Sequence, residues 1–209
     1  MKKTPAPALF AGLLLLAACG PKAAPPAANE SPRPPALVGS TVMVLPVHAG
    51  TVPTPGATNV NFRSDGVDAL DSEIAYWLPE TAPRVKWIMP PAIDRALARS
   101  PGLNIDIRNL AINGFRRMQL RRIGDPLFGD MRRLGAVLDT RFALIPVAAE
   151  FRPTTGSNGR IDIAAALIDT ERGDVLWFGV VSGDEGAAGD AAVTTSAAQA
   201  FARLFHTGS

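Results

Sequence analysis

Apolar and polar residues follow two different periods along the chain, and the changes of period predict ten elements. Short apolar or alternating runs predict six strands, and apolar residues spaced three and four apart predict four helices. The strands are expected at residues 41–47, 84–89, 103–110, 141–151, 160–169 and 174–183. The helices are expected at residues 64–78, 91–100, 128–139 and 191–205.

This order, β-α-β-α-β-α-β-β-β-α, predicts one domain of mixed α/β (α+β) class over residues 40–209. About six strands should form a mixed sheet, and about four helices should cover one face of it. About 170 residues are enough for a single domain with a sizeable core.

The first residues have the pattern of an export signal. Lys2 and Lys3 form a short positive region, and residues 8–16 form an apolar run that is too short to span a bilayer, which needs about 20 residues. The run ends in Leu-Ala-Ala-Cys at 16–19, which resembles the lipobox of bacterial lipoproteins. The resemblance implies cleavage after Ala18 and lipid attachment at Cys19, the only cysteine of the chain. The alternative is an ordinary signal peptide with a chance cysteine.

Residues 19–39 are predicted to be a lipidated cysteine followed by a tether rich in Pro and Ala. An extended proline-rich segment rises about 3.1 Å per residue, so the 18 residues 20–37 could span up to about 55 Å. By resemblance to enterobacterial lipoproteins, Gly20 is not the aspartate that retains a lipoprotein in the inner membrane. The expected location is the periplasmic face of the outer membrane, with the lipid as the membrane contact.

Charge gives no support for a nucleic-acid partner. The chain has 21 Lys and Arg against 19 Asp and Glu, with a sequence pI of about 9.0. Residues 1–18 carry two of the lysines and no acid, so the chain without them has 19 of each. A balanced domain has no general attraction for polyanions.

One segment of this balanced chain is strongly basic. Residues 115–133 carry three arginine pairs interleaved with apolar residues. They are either a solvated face or a contact surface, because guanidinium groups bind carboxylates and phosphates in pairs of hydrogen bonds and arginine is enriched at interfaces. We predict that a partner docks there, chiefly on Arg117, Arg121 and Arg122. The six candidate residues are Arg116, Arg117, Arg121, Arg122, Arg132 and Arg133.

Catalytic, metal and cofactor signatures are weak. His48 and His206 have no second ligand at metal spacing and are predicted to be solvated or locally satisfied. The acids from Asp65 to Glu73, which include Asp68 and Asp71, are predicted to cap and solvate a helix. The Gly-rich segment 183–190 lacks a P-loop lysine and is expected to be a flexible connection. We therefore expect neither an enzyme nor a cofactor or metal site.

Two short motifs carry a family resemblance. Gly135, Asp139 and Phe142 approximate a helix-to-strand turn. In the hairpin 169–177, Asp169, Thr170, Gly173 and Trp177 approximate a D-x-x-T-G-x-x-x-W type pattern, with the threonine directly after the aspartate. Together they resemble the periplasmic domain shared by CsgG-type curli secretion lipoproteins, LpoB-type activators of penicillin-binding proteins and related small outer-membrane lipoproteins. The resemblance covers residues 95–205 and, by element order alone, 40–95. Such hairpins are part of the framework, so the resemblance implies a fold. Trp177 is expected in the core.

Two classes of function remain open besides an uncharacterised enzyme. The first is a non-enzymatic lipoprotein that binds, scaffolds or activates an envelope complex, such as a cell-wall synthase or a transporter. The second, implied by the curli resemblance, is an oligomeric secretion or pore component; a homo-oligomer is possible in either case. A pore needs additional strands of about 9–11 residues. The only candidate hairpin, 141–169, is needed for the domain's own sheet.

Overall fold

The structure is a computed structural model that describes residues 33–52, 64–115 and 120–206. All the described residues lie in one compact unit, residues 31–209. The predicted sites at Ala18, Cys19, Arg116 and Arg117, and the tether before residue 33, lie outside the described residues.

Four helices and seven strands form the described domain. The helices are α1 Ser64–Thr81, α2 Pro90–Ala98, α3 Leu127–Leu138 and α4 Ala191–Arg203, with a single 3₁₀ turn at Ile112–Gly114. The strands are β1 Thr41–Val44, β2 Gly50–Thr51, β3 Lys86–Ile88, β4 Phe142–Pro153, β5 Asn158–Asp169, β6 Val175–Ser182 and β7 Gly186–Ala187. The prediction of a mixed α/β fold with four helices is confirmed.

All seven described strands belong to one mixed sheet. Its order is β3-β1-β4-β5-β6. Strand β1 is parallel to both of its neighbours, β3 and β4, and β5 is antiparallel to both of its neighbours, β4 and β6. The two-residue strands β2 and β7 add to β4 and β5. Each of the paired strands β4 and β5 has 12 residues and lies within the sheet, as expected for the hairpin 141–169.

Helices cover both faces of the sheet, so the expectation of a single covered face is wrong. Val42 and Val44 of β1 pack in one core with α1 and α4, whereas Met43 and Leu45 pack in a second core with α2 and α3. Successive strand residues point to opposite faces. An uninterrupted apolar run such as residues 42–45 therefore needs a layer on each side.

Residues 103–110 do not form the predicted strand. The Asp106 carboxylate accepts a hydrogen bond from the Arg108 backbone N–H at 3.0 Å, and the Asp106 carbonyl accepts one from the Asn109 N–H at 3.1 Å. Aspartate favours such local turns over a strand ladder. Ile107 is 1% exposed and packs in the second core, so the segment covers the sheet face instead of extending the sheet.

Several element ends differ from the prediction. α1 continues past Pro79 to Thr81, because Leu78 and Ala82 are buried in the core. Val137 of α3 is 40% exposed. The packed domain begins before residue 40, since Leu37 is 3% exposed in the first core.

The Gly-rich segment 183–190 is held in place at three points. Gly186 and Ala187 pair with β5, the Asp184 N–H donates to the Ser196 hydroxyl at 3.0 Å, and the Asp190 carboxylate caps α4 by accepting from the Ala192 N–H at 2.9 Å. The segment is thus bonded to both β5 and α4, and its flexibility stays a prediction. Among the described helices, none is long and apolar enough to cross a membrane.

Candidate partner-binding surface

The described part of the arginine segment lies beside the first residues of β6. The Val175 N–H donates to the Arg121 carbonyl at 2.9 Å, and the Ile123 N–H donates to the Gly173 carbonyl at 2.8 Å. Arg122 and Asp174 face each other in an isolated antiparallel bridge. The turn between β5 and β6 therefore positions Arg121 and Arg122.

Two of the four described arginines are held by internal contacts. The Arg122 guanidinium donates to the Arg172 carbonyl from Nε at 3.0 Å and from Nη2 at 2.7 Å, and it lies 3.8 Å from the Asp174 carboxylate. Arg133 donates to the Asp130 carboxylate at 2.5 Å and to the Gly129 carbonyl at 3.3 Å. These two side chains offer fewer free donors to a partner than the sequence suggests.

The other two, Arg121 and Arg132, are exposed, and their side chains make no hydrogen bond or ion pair with the described residues. Met131 and Leu134 anchor α3 in the core with no exposed surface and turn Arg132 outward. Among the described arginines, the best candidates for a partner contact are therefore Arg121 and Arg132. Arg122, which the sequence had favoured together with Arg121, is replaced by Arg132.

Arg132 lines a cleft of about 560 Å³ between the end of α3, the start of β4 and the turn after β5. Its side walls include a second cation, Arg141, and two acids, Asp139 and Glu171. The lining residues are Arg132, Gly135, Ala136, Asp139, Thr140, Arg141, Thr170 and Glu171.

Two threonines hold the floor of the cleft together. The Thr170 hydroxyl lies 3.2 Å from the Thr140 carbonyl and 3.0 Å from the Arg141 carbonyl, and the Thr140 hydroxyl donates to the Thr41 carbonyl at 2.7 Å. Gly135 permits this approach, because a Cβ at that position would lie 2.6 Å from the Thr170 hydroxyl oxygen. The helix, β1, β4 and β5 thus meet at one rigid corner.

Asp169 closes the back of the same corner. Its side chain is 2% exposed and accepts hydrogen bonds from Arg141 Nε at 2.8 Å and Nη2 at 2.6 Å, and from the N–H groups of Glu171 and Arg172 at 3.0 and 3.1 Å. Burial alone would raise the pKa of Asp169, but these hydrogen bonds outweigh it and hold the pKa below its usual value. Asp169 is therefore ionised and neutralises much of the charge of Arg141.

The motif residues have framework positions. Asp139 ends α3 in the left-handed conformation with φ of 49°, and Gly173 has φ of 75° in the turn after β5, where a Cβ would lie 2.9 Å from the Phe128 ring. Trp177 is 5% exposed in the first core, as predicted. Sequence reasoning found these residues as framework but missed the cleft beside them, because its two walls are about 30 residues apart in the chain.

Asp71 differs from its prediction, and His48 is partly buried. Asp71 is half-buried and accepts a hydrogen bond from the Val47 N–H at 2.9 Å, and burial raises the pKa of Asp71 to about 6. Both ring nitrogens of His48 are buried and make no hydrogen bond of good geometry with the described residues. Burial lowers the pKa of His48, and backbone groups of Pro146, Pro46 and Ile107 act in the opposite direction. Asp71 is therefore not part of a solvated face, and the His48 ring is buried beside backbone groups.

Other titratable groups offer little chemistry. His206 is exposed, and its Nδ1 lies 3.0 Å from the Thr81 carbonyl. Within residues 33–52, 64–115 and 120–206, no group of three or more His, Cys, Asp or Glu side chains is arranged to hold a metal ion.

Comparison with known proteins gives structural similarities only; no family model and no curated protein matches the chain. The chain is similar to the PelC dodecamer from Paraburkholderia phytofirmans, with 16% identity over 85% of this chain and 97% of that chain and a TM-score of 0.46. For lipoprotein GNA1162 from Neisseria meningitidis the identity is 12% over 72% and 85%, with a TM-score of 0.42. For the LpoB C-terminal domain from Salmonella enterica it is 12% over 70% and 83%, with a TM-score of 0.37.

The resemblance drawn from the sequence included LpoB-type lipoproteins, and an LpoB domain and a second lipoprotein are among these structures. Its curli-channel part stays a prediction. With TM-scores below 0.5, these similarities carry nothing to this chain about activity, partners or assembly.

Proposed function

We propose that this protein is a lipid-anchored outer-membrane lipoprotein whose periplasmic domain acts, without catalysis, as a binding or activating subunit of an envelope protein complex such as a cell-wall synthase or a transporter. The observation that carries the proposal is the pair Arg121 and Arg132, which stay exposed and unpaired among the described residues after the fold has used Arg122 and Arg133. Arginine that is free of internal partners is suited to contact a protein surface.

The experiment separates anchoring from binding. Cys19→Ser should move the full-length protein from the membrane pellet to the soluble periplasmic fraction without unfolding it, because acyl chains at Cys19 are the proposed anchor. A serine variant that stays in the pellet after a high-salt wash would contradict the lipid anchor.

Binding is tested with the lipidated protein, extracted in mild detergent and purified by a tag. Arg121→Glu combined with Arg132→Glu should remove envelope proteins that co-purify with the wild type. The matched control is Arg84→Glu, an exposed arginine next to β3 at the opposite edge of the sheet. If the double variant is folded and keeps the same partners as this control, the arginines form only a solvated face and the proposal fails.

A further inference from the structure

The cleft beside Arg132 carries balanced charge, which decides what it can bind. Its lining contains two cations, Arg132 and Arg141, and two acids, Asp139 and Glu171. The Arg141 guanidinium is already engaged by the buried Asp169, 2.6 Å away. A polyanion such as a phosphate ester would meet the two acids of the lining as well as the guanidinium groups, so the cleft has little attraction for it.

The free groups in the lining complement a ligand of mixed charge. Arg132 makes no side-chain hydrogen bond or ion pair with the described residues, and Glu171, whose side chain is 71% exposed, makes one long contact of 4.0 Å to Arg141. The carboxylate of Asp139 makes no hydrogen bond or ion pair with the described residues. A bidentate guanidinium–carboxylate contact at Arg132 and a cation at Glu171 or Asp139 would pair groups that folding leaves unpaired.

The walls of the cleft are held in place before any ligand arrives. Thr170, the residue after β5, is 1% exposed, and its hydroxyl contacts the carbonyls of Thr140 and Arg141 in the connection between α3 and β4. Asp169 fixes both Arg141 and the turn after β5. A site whose walls are fixed loses little conformational entropy on binding. The cleft is therefore preorganised, although it is open to solvent.

We propose that this cleft docks a segment of the partner protein in which a carboxylate side chain lies next to a basic side chain, with the carboxylate on Arg132 and the basic group on Glu171 or Asp139. The inference rests on the proposed function, because it takes the ligand to be a protein. Because both signs of charge take part in this contact, binding should depend less on salt than binding to a purely basic surface would.

The test uses the full-length lipidated protein in detergent micelles, labelled with ¹⁵N, and three defined probes. The probes are a capped peptide with adjacent Glu and Lys, a capped peptide of the same length with two Glu, and inorganic phosphate. Amide signals of residues 139–141 and 170–172 report binding. We expect the Glu-Lys peptide to bind more tightly than the other two, at concentrations up to about 10 mM.

Matched variants identify the contacts. Arg132→Ala should weaken the binding of the Glu-Lys peptide by about tenfold. Arg133→Ala removes the neighbouring arginine, which is bound to Asp130. It should change the affinity for the Glu-Lys peptide less than about twofold. Glu171→Gln should weaken the binding of the Glu-Lys peptide and strengthen the binding of the peptide with two Glu, because it removes one acid from the lining.

Three results would overturn the inference. The first is binding of phosphate or of the two-Glu peptide at least as tight as that of the Glu-Lys peptide, which would indicate a simple anion or lipid-headgroup site. The second is an equal effect of Arg132→Ala and Arg133→Ala, and the third is an unchanged spectrum. If the peptides fail while co-purification still depends on Arg121 and Arg132, only this inference falls. If the peptides bind but the folded double variant keeps the same co-purifying proteins as the wild type, the proposed function falls.

Discussion

Trp177 lies where α4 closes the first core, and its replacement should strongly destabilise the domain. The side chain is 5% exposed, and its ring meets the Phe205 ring edge-on with the centroids 6.1 Å apart. Phe205 also contacts Trp87 of β3 at 5.7 Å and Phe201 of α4 at 5.6 Å. Since β3 and β6 are the two ends of the strand order, this aromatic cluster joins both edges of the sheet to α4.

The expected cost of Trp177→Ala follows from burial. A buried tryptophan side chain removes about 150–250 Å² from water. At about 25 cal/mol per Å², this area corresponds to about 4–6 kcal/mol as an upper estimate. Substitutions of this kind cost about 3–5 kcal/mol. The loss is a large part of the stability of a domain, which is about 5–15 kcal/mol.

Urea unfolding followed by circular dichroism measures this loss. With an m value of about 2 kcal/mol per molar urea, the midpoint of Trp177→Ala should fall by about 2 M. The matched control is Leu176→Ala, which changes the adjacent residue of β6, whose side chain is 40% exposed. It should cost less than about 1 kcal/mol. Equal midpoints for the wild type and Trp177→Ala would refute the placement of Trp177 in the core and make it a candidate binding residue.

Two further predictions test other parts of the structure. Asp71 has a pKa of about 6 in the fold against 3.8 for the free side chain. Its contribution to the free energy of unfolding is therefore complete below the pKa of the free side chain and is lost as the pH rises through the pKa in the fold. Asp71→Asn does not titrate, so its stability relative to the wild type in urea should rise by about 2 kcal/mol between about pH 4.5 and about pH 7.5; a constant difference would contradict the burial of Asp71. Gly135→Ala should lower the urea midpoint by the equivalent of about 1–3 kcal/mol, because the new Cβ would lie 2.6 Å from the Thr170 hydroxyl oxygen and 2.8 Å from the Thr140 carbonyl. The control is Gly129→Ala on the same helix, where the nearest atom is an Asp125 carboxylate oxygen at 3.3 Å; an equal cost for the two glycines would show that the corner is not tightly packed.

The sequence predicted most elements correctly, because their residue periods reflect local geometry. The three last strands and α4 lie within about two residues of their predicted bounds. The strand predicted at 103–110 failed because apolar alternation is also produced by a covering segment whose Ile107 and Leu110 point at a core. The second helix layer was missed, although the apolar run 41–47 already indicates a strand that is buried on both faces.

The candidate surface was predicted less well, for a different reason. The sequence located the arginines but could not tell which ones the fold would occupy. The contact between Arg122 and the Arg172 carbonyl joins residues 50 apart, and the pairing of Arg141 with Asp169 joins residues 28 apart. Only the ion pair of Arg133 and Asp130, three residues apart on one helix, could be anticipated from spacing.

The corner at Thr170 and the side chain of Arg132 have separate roles, so substitutions there should have separable effects. Gly135 and Asp169 hold the walls of the cleft through buried contacts, and changing them alters the stability of the domain. Arg132 contributes no hydrogen bond or ion pair to the described fold. Its loss should therefore change binding and leave stability almost unchanged, since exposed positions without partners usually affect stability by less than about 0.5 kcal/mol. A loss of binding in Arg132 variants thus reports the contact itself, whereas a loss in framework variants also reports the rigidity on which the contact depends.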